Sequence, residues 1–301
     1  MVETDSGGIR ENGFVRLPGL AAGDALLRLR RAVGALEDLT RDRAVSGGDF
    51  VLEAPGIGGW AAWQQGAGAL RGVLRSADRI HVHVPEFEAV QRSLDLAGGA
   101  VARAAGAPGT LVNSFLWAKP PVVGSAKPWH QDMAFAPPGF DAGRHGIVTV
   151  WVALEPATAR NGCLEFLPGS HLLGLLPHTG DSERLPGQAP LQRAQEPHVA
   201  DEHLPRTAVA AMPLEPGSAV LFDGLVLHRS APNTTAAQPR TAVSFVYRVP
   251  RPAWSRPVPA GAGGDVQLLP GGGRTARSAA GRAVGAVAAG GGQGPAVRSG
   301  P

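Results

Sequence analysis

The sequence predicts a mainly β fold with helices ahead of it, a double-sheet jelly roll or a related barrel. Two observations carry this expectation. From Thr110 onward, β-prone runs alternate with Pro and Gly turns over residues 110–118, 127–135, 147–154, 163–167, 207–212, 218–223, 225–230 and 240–249. Eight short runs punctuated in this way match the strand count of two packed sheets. The hydrophobic share of 44% is also high enough to fill a real core.

The elements follow in order. Asn12-Gly-Phe-Val-Arg-Leu17 predicts a short strand closed by Pro18-Gly19. Leu26, Leu29, Val33 and Leu36 recur at helical spacing and predict a helix over residues 22–38. The Gly- and Trp-rich stretch 46–68 has no periodicity to assign. Residues 86–105, after Pro85, read as helical. Within the β region, Asn161-Gly162 is a tight-turn signal, although the connection there is longer than two residues. Residues 174–206 are polar and Pro-rich and read as a long insertion, the kind of loop that serves as a lid or binding element. After Pro250 the chain turns to Gly, Ala, Arg and Pro with few large apolar residues. The expected organisation is one domain over residues 1–250, carrying the insertion, and a disordered tail over 251–301.

Charge and cysteine content narrow the partners. The formal charge is +3, but residues 251–301 carry six Arg against the single acid Asp265, which leaves the first 250 residues near −2. Without a long basic run, nucleic acid is not an expected partner. No apolar stretch is long enough to span a membrane. The one cysteine, Cys163, has no internal partner for a disulfide, and Glu3 and Asp5 stand where a secretory leader needs basic residues. The expected location is the cytoplasm.

Trp129-His130-Gln131-Asp132 is the first informative site. In a strand, residues two apart share a face, so His130 and Asp132 could present an imidazole and a carboxylate to one point. Nine His and thirteen Asp give about 0.4 such pairs by chance, so alone this reads as an exposed polar pair. A second β-prone run, Leu225-Val-Leu-His-Arg-Ser-Ala-Pro-Asn233, adds His228. Two His and one carboxylate make the facial triad of non-haem Fe(II) oxygenases, which leaves coordination positions for a 2-oxo acid and for O2. The distal carboxylate of 2-oxoglutarate then needs a fixed cation. Arg240, opening the run Arg240-Thr-Ala-Val-Ser-Phe-Val-Tyr247, has the planar fork for it. Ser230 shares strand parity with His228 and could reach the same carboxylate.

The order His130-Gln-Asp132, Val148-Thr-Val-Trp-Val-Ala-Leu154, Asn161-Gly-Cys-Leu-Glu-Phe-Leu-Pro-Gly-Ser-His171, then His228 to Arg240 resembles the phytanoyl-CoA dioxygenase family. With the opening Gly13-Phe-Val-Arg-Leu-Pro-Gly19, the likeness spans roughly residues 10–250. The resemblance implies a double-stranded β-helix (jelly-roll, cupin-like) core. It implies Fe(II) held by His130, Asp132 and His228, and 2-oxoglutarate anchored by Arg240, with Ser230, Trp151 and Phe115 lining the co-substrate pocket. The implied activity is a 2-oxoglutarate-dependent dioxygenase that consumes O2, releases succinate and CO2 and hydroxylates a small-molecule substrate. A carboxylate at Asp132 disfavours halogenation, while desaturation, epoxidation and ring formation use the same triad. Two other classes compete. One is a catalytically silent binding protein of the same family, against which an intact triad plus Arg240 speaks. The other is a hydrolase or isomerase on a cupin-like barrel, whose metal usually takes three His or more.

Other residues receive plainer readings. His81 and His83 share one face of Arg79-Ile-His-Val-His-Val84 and read as a strand surface. Pro168-Gly169-Ser170-His171 reads as structural, at the approach to the insertion. Cys163 reads as a small buried apolar residue. Trp117 and Trp129 are core or pocket wall, and Glu165 and Asp223 are solvated strand ends rather than groups behind the metal.

Overall fold

A computed structural model describes residues 6–44, 46–53, 70–136, 139–179 and 197–252. Most of the unassigned stretch 46–68, the centre of the 174–206 insertion and nearly all of the 251–301 tail lie outside the described residues.

Helix α1 (Ser6–Asn12) leads into β1 (Phe14–Leu17) and α2 (Asp24–Thr40). The strands that follow are β2 (Phe50–Leu52), β3 (Leu74–Asp78), β4 (Thr110–Lys119), β5 (Lys127–His130), β6 (His145–Ala153) and β7 (Leu164–Phe166). The last four are β8 (Ala210–Met212), β9 (Ala219–Asp223), β10 (His228–Ser230) and β11 (Arg240–Pro250). They form two antiparallel sheets, a large one ordered β1-β9-β6-β11-β4-β3-β2 and a small one ordered β5-β10-β7-β8. Phe166 of the small sheet and Phe222 of the large one meet with ring centroids 5.4 Å apart, so the sheets pack face to face as a jelly roll.

Alternation along the central strands shows how the large sheet is covered on both faces. Val148, Val150 and Val152 of β6, with Val243, Phe245 and Tyr247 of β11, pack into the cluster that holds Leu29, Ala32, Val33 and Leu36 of α2. Trp151 and Ala153 point the other way, into a second cluster with Leu164 and Phe166 of the small sheet. Period-2 alternation thus sorts one set of residues toward the helices and the other toward the barrel interior. In β6 both sets are largely apolar because both faces are covered, with Thr149 the buried polar exception on the barrel side.

The expected strands are found, several of them shorter at their ends, and α2 lies within two residues of its expected span at either end. Three expectations need correction. Residues 86–105 are not one helix. The helix Glu86–Ser93 ends, Asp95 takes φ 48°, and a wide helical turn Leu96–Val101 follows before Ala102–Ala105. The break falls at Asp95 in the left-handed region, and Gly98 and Gly99 just beyond it are poor residues for continuing a regular helix. Residues 79–84 are not a strand but a single helical turn, Ile80–His83, entered through Arg79 at φ 50°. Arg79 forks onto the buried Asp49, and that tertiary ion pair overrides the alternating pattern. The run 127–135 is strand only to His130, and a 3-10 turn, Asp132–Phe135, completes it.

Among the described residues no helix is long and apolar enough to cross a membrane. Phe245, fully buried between β4 and β6, is a direct test of the two-faced sheet. Phe245→Ala should lower the unfolding free energy by about 3–5 kcal/mol, read as a shifted urea midpoint at unchanged slope.

Candidate metal centre

Strands β5 and β10 are antiparallel neighbours, and His228 is the cross-strand partner of His130. That register sets the two imidazoles side by side, with ring centroids 4.1 Å apart. Asp132 reaches the same point by a different route from the shared strand face that its spacing suggested. The chain turns after Gln131, and the Met133 N–H donates to Gly224 O at 2.8 Å, which ties the turn to the segment leading into His228. Asp132 Oδ1 lies 3.6 Å from His130 Nε2 and 3.5 Å from His228 Nε2. These separations are too long for good hydrogen bonds. They approach the spacing of adjacent donors on an ion, about 3 Å for bonds about 2.1 Å long.

The remaining atoms of the three side chains are committed elsewhere. His130 Nδ1 bonds Pro128 O at 2.8 Å and His228 Nδ1 bonds Val226 O at 3.1 Å. A carbonyl only accepts, so each Nδ1 carries the proton and each Nε2 keeps its lone pair toward Asp132. Asp132 Oδ2 accepts from Thr149 Oγ1 at 2.7 Å, leaving Oδ1 for the centre. Burial pushes the His130 imidazole well below its ordinary pKa and lowers that of His228 as well, so both are neutral, the state a metal ligand needs. Among the described residues these three side chains are the one such group of His, Cys, Asp and Glu, their ligand atoms all within 4.8 Å of one another. The donor set therefore fits a divalent ion of the kind that takes two His and one carboxylate.

Arg240 opens β11, is almost fully buried, and lies with its guanidinium carbon 5.6 Å from the Trp151 ring centre. Its Nη1 donates to Trp117 O at 3.1 Å, while its Nε is buried without a hydrogen-bond partner. Burial lowers its pKa to about 9, still high enough to keep it charged at neutral pH. The loop before it is braced. Asn233 Nδ2 donates to Lys119 O and to Gln238 O, both at 2.8 Å, and Asn161 Nδ2 donates to Pro239 O at 3.3 Å. Gly162 lets this brace close, because a Cβ there would sit 2.4 Å from Ala231 O. The Asn-Gly pair thus helps hold the strand that starts with Arg240.

Ser230 is buried on β10, two residues beyond His228. Trp151 is buried on β6. Phe115, half-buried on β4, stacks on Trp117 with centroids 5.3 Å apart. Trp117 is partly buried against the second apolar cluster, with Nε1 donating to Ser244 Oγ at 2.7 Å. Lys127 Nζ lies 5.2 Å from the Trp117 ring centre and 5.3 Å from that of Phe135. Trp129 is core, with the Arg229 guanidinium over its ring.

Several readings are corrected here. Asp223 is not a solvated strand end. It is buried, and its Oδ1 accepts from Leu225 N at 2.8 Å, capping the turn toward His228. Glu165 is largely covered and pairs with Arg229 at 2.6 Å. His81 and His83 bond Ser114 Oγ at 2.6 Å and Asp49 Oδ2 at 2.7 Å and do not converge. His171 is structural as expected, but its Nε2 holds Arg10 O of α1 at 3.1 Å. Cys163 is buried and unpaired. Sequence reasoning passed over Thr149, Gln131 and His178. Thr149 shares strand parity with Trp151, which was a readable signal. His178, in the insertion, offered none.

A jelly roll whose smaller sheet sets two imidazoles side by side, with a carboxylate brought in by the turn after β5, has the form of a metal-binding β-barrel protein. The profile described as phytanoyl-CoA dioxygenase (PhyH) matches residues 9–242, and the chain belongs to that family. It is 31% identical over 176 residues to phytanoyl-CoA dioxygenase domain-containing protein 1 of Danio rerio, covering 58% of this chain and 53% of that one. It is 32% identical over 131 residues to L-proline trans-4-hydroxylase of Streptomyces griseoviridis, covering 41% and 48%. The chain thus spans about half the length of the curated relatives it matches. The crystal structure of EvdO2 from Micromonospora carbonacea var. aurantiaca, complexed with 2-oxoglutarate, superposes with TM-score 0.59 at 27% identity, covering 86% of this chain and 97% of that one.

Two outcomes follow from this geometry. Thr149→Val removes the donor that holds Asp132 Oδ2 and should weaken Co(II) binding about tenfold at unchanged fold, read by titrating the visible band of Co(II). Acid should destabilise the metal-free protein in a defined window. Burial lowers the His178 pKa from 6.5 to about 4. The unfolded imidazole takes its proton near 6.5 and the folded one only near 4, so stability is intact above 6.5 and falls as pH drops between these values. The His178 contribution to that fall is about 3 kcal/mol by pH 4, and His130 and His228 act in the same direction. Urea unfolding free energies that stay flat between about pH 7 and about pH 4.5 would refute this.

Proposed function

We propose that the chain is an Fe(II)- and 2-oxoglutarate-dependent dioxygenase that hydroxylates a C–H bond of a small-molecule metabolite. Residues 1–250 form its single catalytic domain, and the single buried cysteine fits a cytoplasmic setting. His130, Asp132 and His228 would hold the iron, Arg240 would anchor the distal carboxylate of 2-oxoglutarate, and Ser230, Trp151 and Phe115 would line the co-substrate pocket.

The observation that carries this reading is a match between what is gathered and what is left uncommitted. Two Nε2 lone pairs and Asp132 Oδ1 converge on one point. A buried Arg240 on a strand of the facing sheet makes no ion pair among the described residues. Burying a guanidinium without a counter-charge costs on the order of several kcal/mol. A carboxylate ligand would offset that cost and accept two parallel hydrogen bonds from the fork.

When bound, Fe(II) with 2-oxoglutarate and O2 would supply the oxidising power, with succinate and CO2 released and a hydroxyl group delivered to the substrate. The chain's own residues supply position and environment. The Nδ1–carbonyl bonds hold both rings in the metal-binding tautomer, and Thr149 turns one carboxylate oxygen inward. Phe166 and Phe222 pack against His228 and keep water from that side. The likeness to L-proline trans-4-hydroxylase favours hydroxylation among the outcomes open to this triad.

Anaerobic addition of Fe(II) and 2-oxoglutarate to metal-free protein should produce the visible charge-transfer band of the chelate. His130→Ala and His228→Ala should abolish it. Arg240→Met should keep metal binding but raise the 2-oxoglutarate concentration at half-saturation about a hundredfold, the effect of losing a buried charged partner. An unchanged half-saturation would remove Arg240 from the site, and no band in the wild type would remove the oxygenase reading.

A further inference from the structure

Gln131 lies between two of the proposed ligands, and nothing in the proposed reaction uses it. Its side chain is fully buried and every polar position of the amide is occupied. Nε2 donates to Gly174 O at 2.8 Å and to Leu225 O at 2.6 Å, and Oε1 accepts from Leu176 N at 2.8 Å. Its backbone N–H donates to His178 Nε2 at 3.0 Å, and His178 Nδ1 returns to Leu176 O at 2.9 Å.

These bonds join three segments. The first carries His130 and Asp132. The second is the turn through Leu225, three residues ahead of His228, which Asp223 Oδ1 and Gly224 pin from either side. The third is the near leg of the 174–206 insertion. The far leg is fixed to the same strand, because Val199 N–H donates to Trp129 O at 2.8 Å. Thr179 and His198 then exchange backbone hydrogen bonds of 2.7 and 2.8 Å, closing the neck where the legs meet. Both legs thus hang from residues 129–131, on either side of His130.

We infer that Gln131 is a positioning residue that makes metal loading and ordering of the insertion's neck one equilibrium. The inference rests on the metal-centre reading above. An ion bound by His130, Asp132 and His228 selects the arrangement in which the first two segments are in register. Only in that register can one amide reach both Leu225 O and the Gly174–Leu176 leg. Whatever stabilises the metal arrangement therefore stabilises the neck, and an ordered neck must strengthen metal binding by the same factor. Glutamine suits the position by its chemistry. It offers two donors and an acceptor on one planar group, whereas glutamate offers no donor and methionine offers neither.

The test compares hydrogen exchange in the full chain with and without Co(II), a redox-inert stand-in for iron. In the wild type, exchange at the Leu176, Thr179 and Val199 amides should slow at least about tenfold on Co(II) loading. In Gln131→Met the slowing should shrink to less than about twofold, and Co(II) should bind about tenfold more weakly. A glutamine that only staples the core would change exchange equally in both states and leave no metal-dependent difference to lose. Co(II) binding to wild type without any change at the neck overturns the coupling while leaving the metal centre standing. Retention of both effects in Gln131→Met also overturns it. Failure of the wild type to bind Co(II) overturns the metal centre and the coupling with it. Should Gln131→Met not fold, Gln131→Glu, which keeps the side-chain shape but lacks both donors when ionised, takes its place with the same losses expected and the same retention overturning the inference.

Discussion

Polar side chains taken out of water must find partners, and the interior of this jelly roll holds an unusual number of them. His130, Gln131, His228, Lys119 and Arg240 are all buried between two sheets whose facing surfaces are otherwise largely apolar. An unpaired amide or imidazole there would cost a few kcal/mol, and an unpaired charge more. Most of the need is met from backbone carbonyls. Lys119 Nζ donates to Ser125 O and Ala231 O, and both imidazole Nδ1 atoms and both donors of Gln131 do the same. Because so much is satisfied locally, the atoms left over stand out. Among them, two Nε2 lone pairs and one carboxylate oxygen are close-grouped, as Glu53 Oε2, His171 Nδ1, Arg43 Nε and Glu155 Oε2 are not, with the Nε of Arg240 on the facing sheet. Those leftovers, more than the fold, point to a cation and a carboxylate as ligands.

The same accounting weighs the competing classes. A hydrolase or isomerase on this barrel would need a further imidazole at the centre. His178, whose Nε2 accepts from the Gln131 N–H between two of the converging residues, is a candidate, yet both of its nitrogens are engaged, the other by Leu176 O. A silent binding protein has no use for Thr149 holding one carboxylate oxygen while the other faces two lone pairs. That division of labour within one carboxylate is what a ligand to a metal requires.

The strands were legible because apolar runs separated by Pro and Gly turns leave few other ways to bury them, and β6 and β11 follow that rule closely. The convergence of His130, Asp132 and His228 was legible for a partly mistaken reason. Strand parity suggested a shared face for His130 and Asp132, whereas the chain leaves the strand at Gln131 and brings the carboxylate round on a 3-10 turn. What defeated the local reading at several other positions was a distant partner. Asp49 draws Arg79 and His83 into a helical turn from 30 or more residues away, and Arg229 covers Glu165 from the neighbouring strand. Gln131 is the extreme case, since none of its side-chain partners lies within forty residues. Periodicity within a window carries no trace of such contacts.

Exposure around the centre is lopsided, and this bears on where a substrate can approach. Both imidazoles are about 5% exposed, while the Asp132 side chain is 22% exposed. The His228 side is closed by Phe166 and Phe222, which belong to the core between the sheets. Half-exposed Phe115, Trp117, Lys127 and Phe135 are linked by ring contacts to one another, and Phe135 meets His130 edge-on. These half-exposed residues therefore reach the centre through Phe135 and His130, while core rings close the His228 side. On the proposed reading, the least covered side of the centre is that of Asp132, and a substrate would approach there rather than past Phe166 and Phe222.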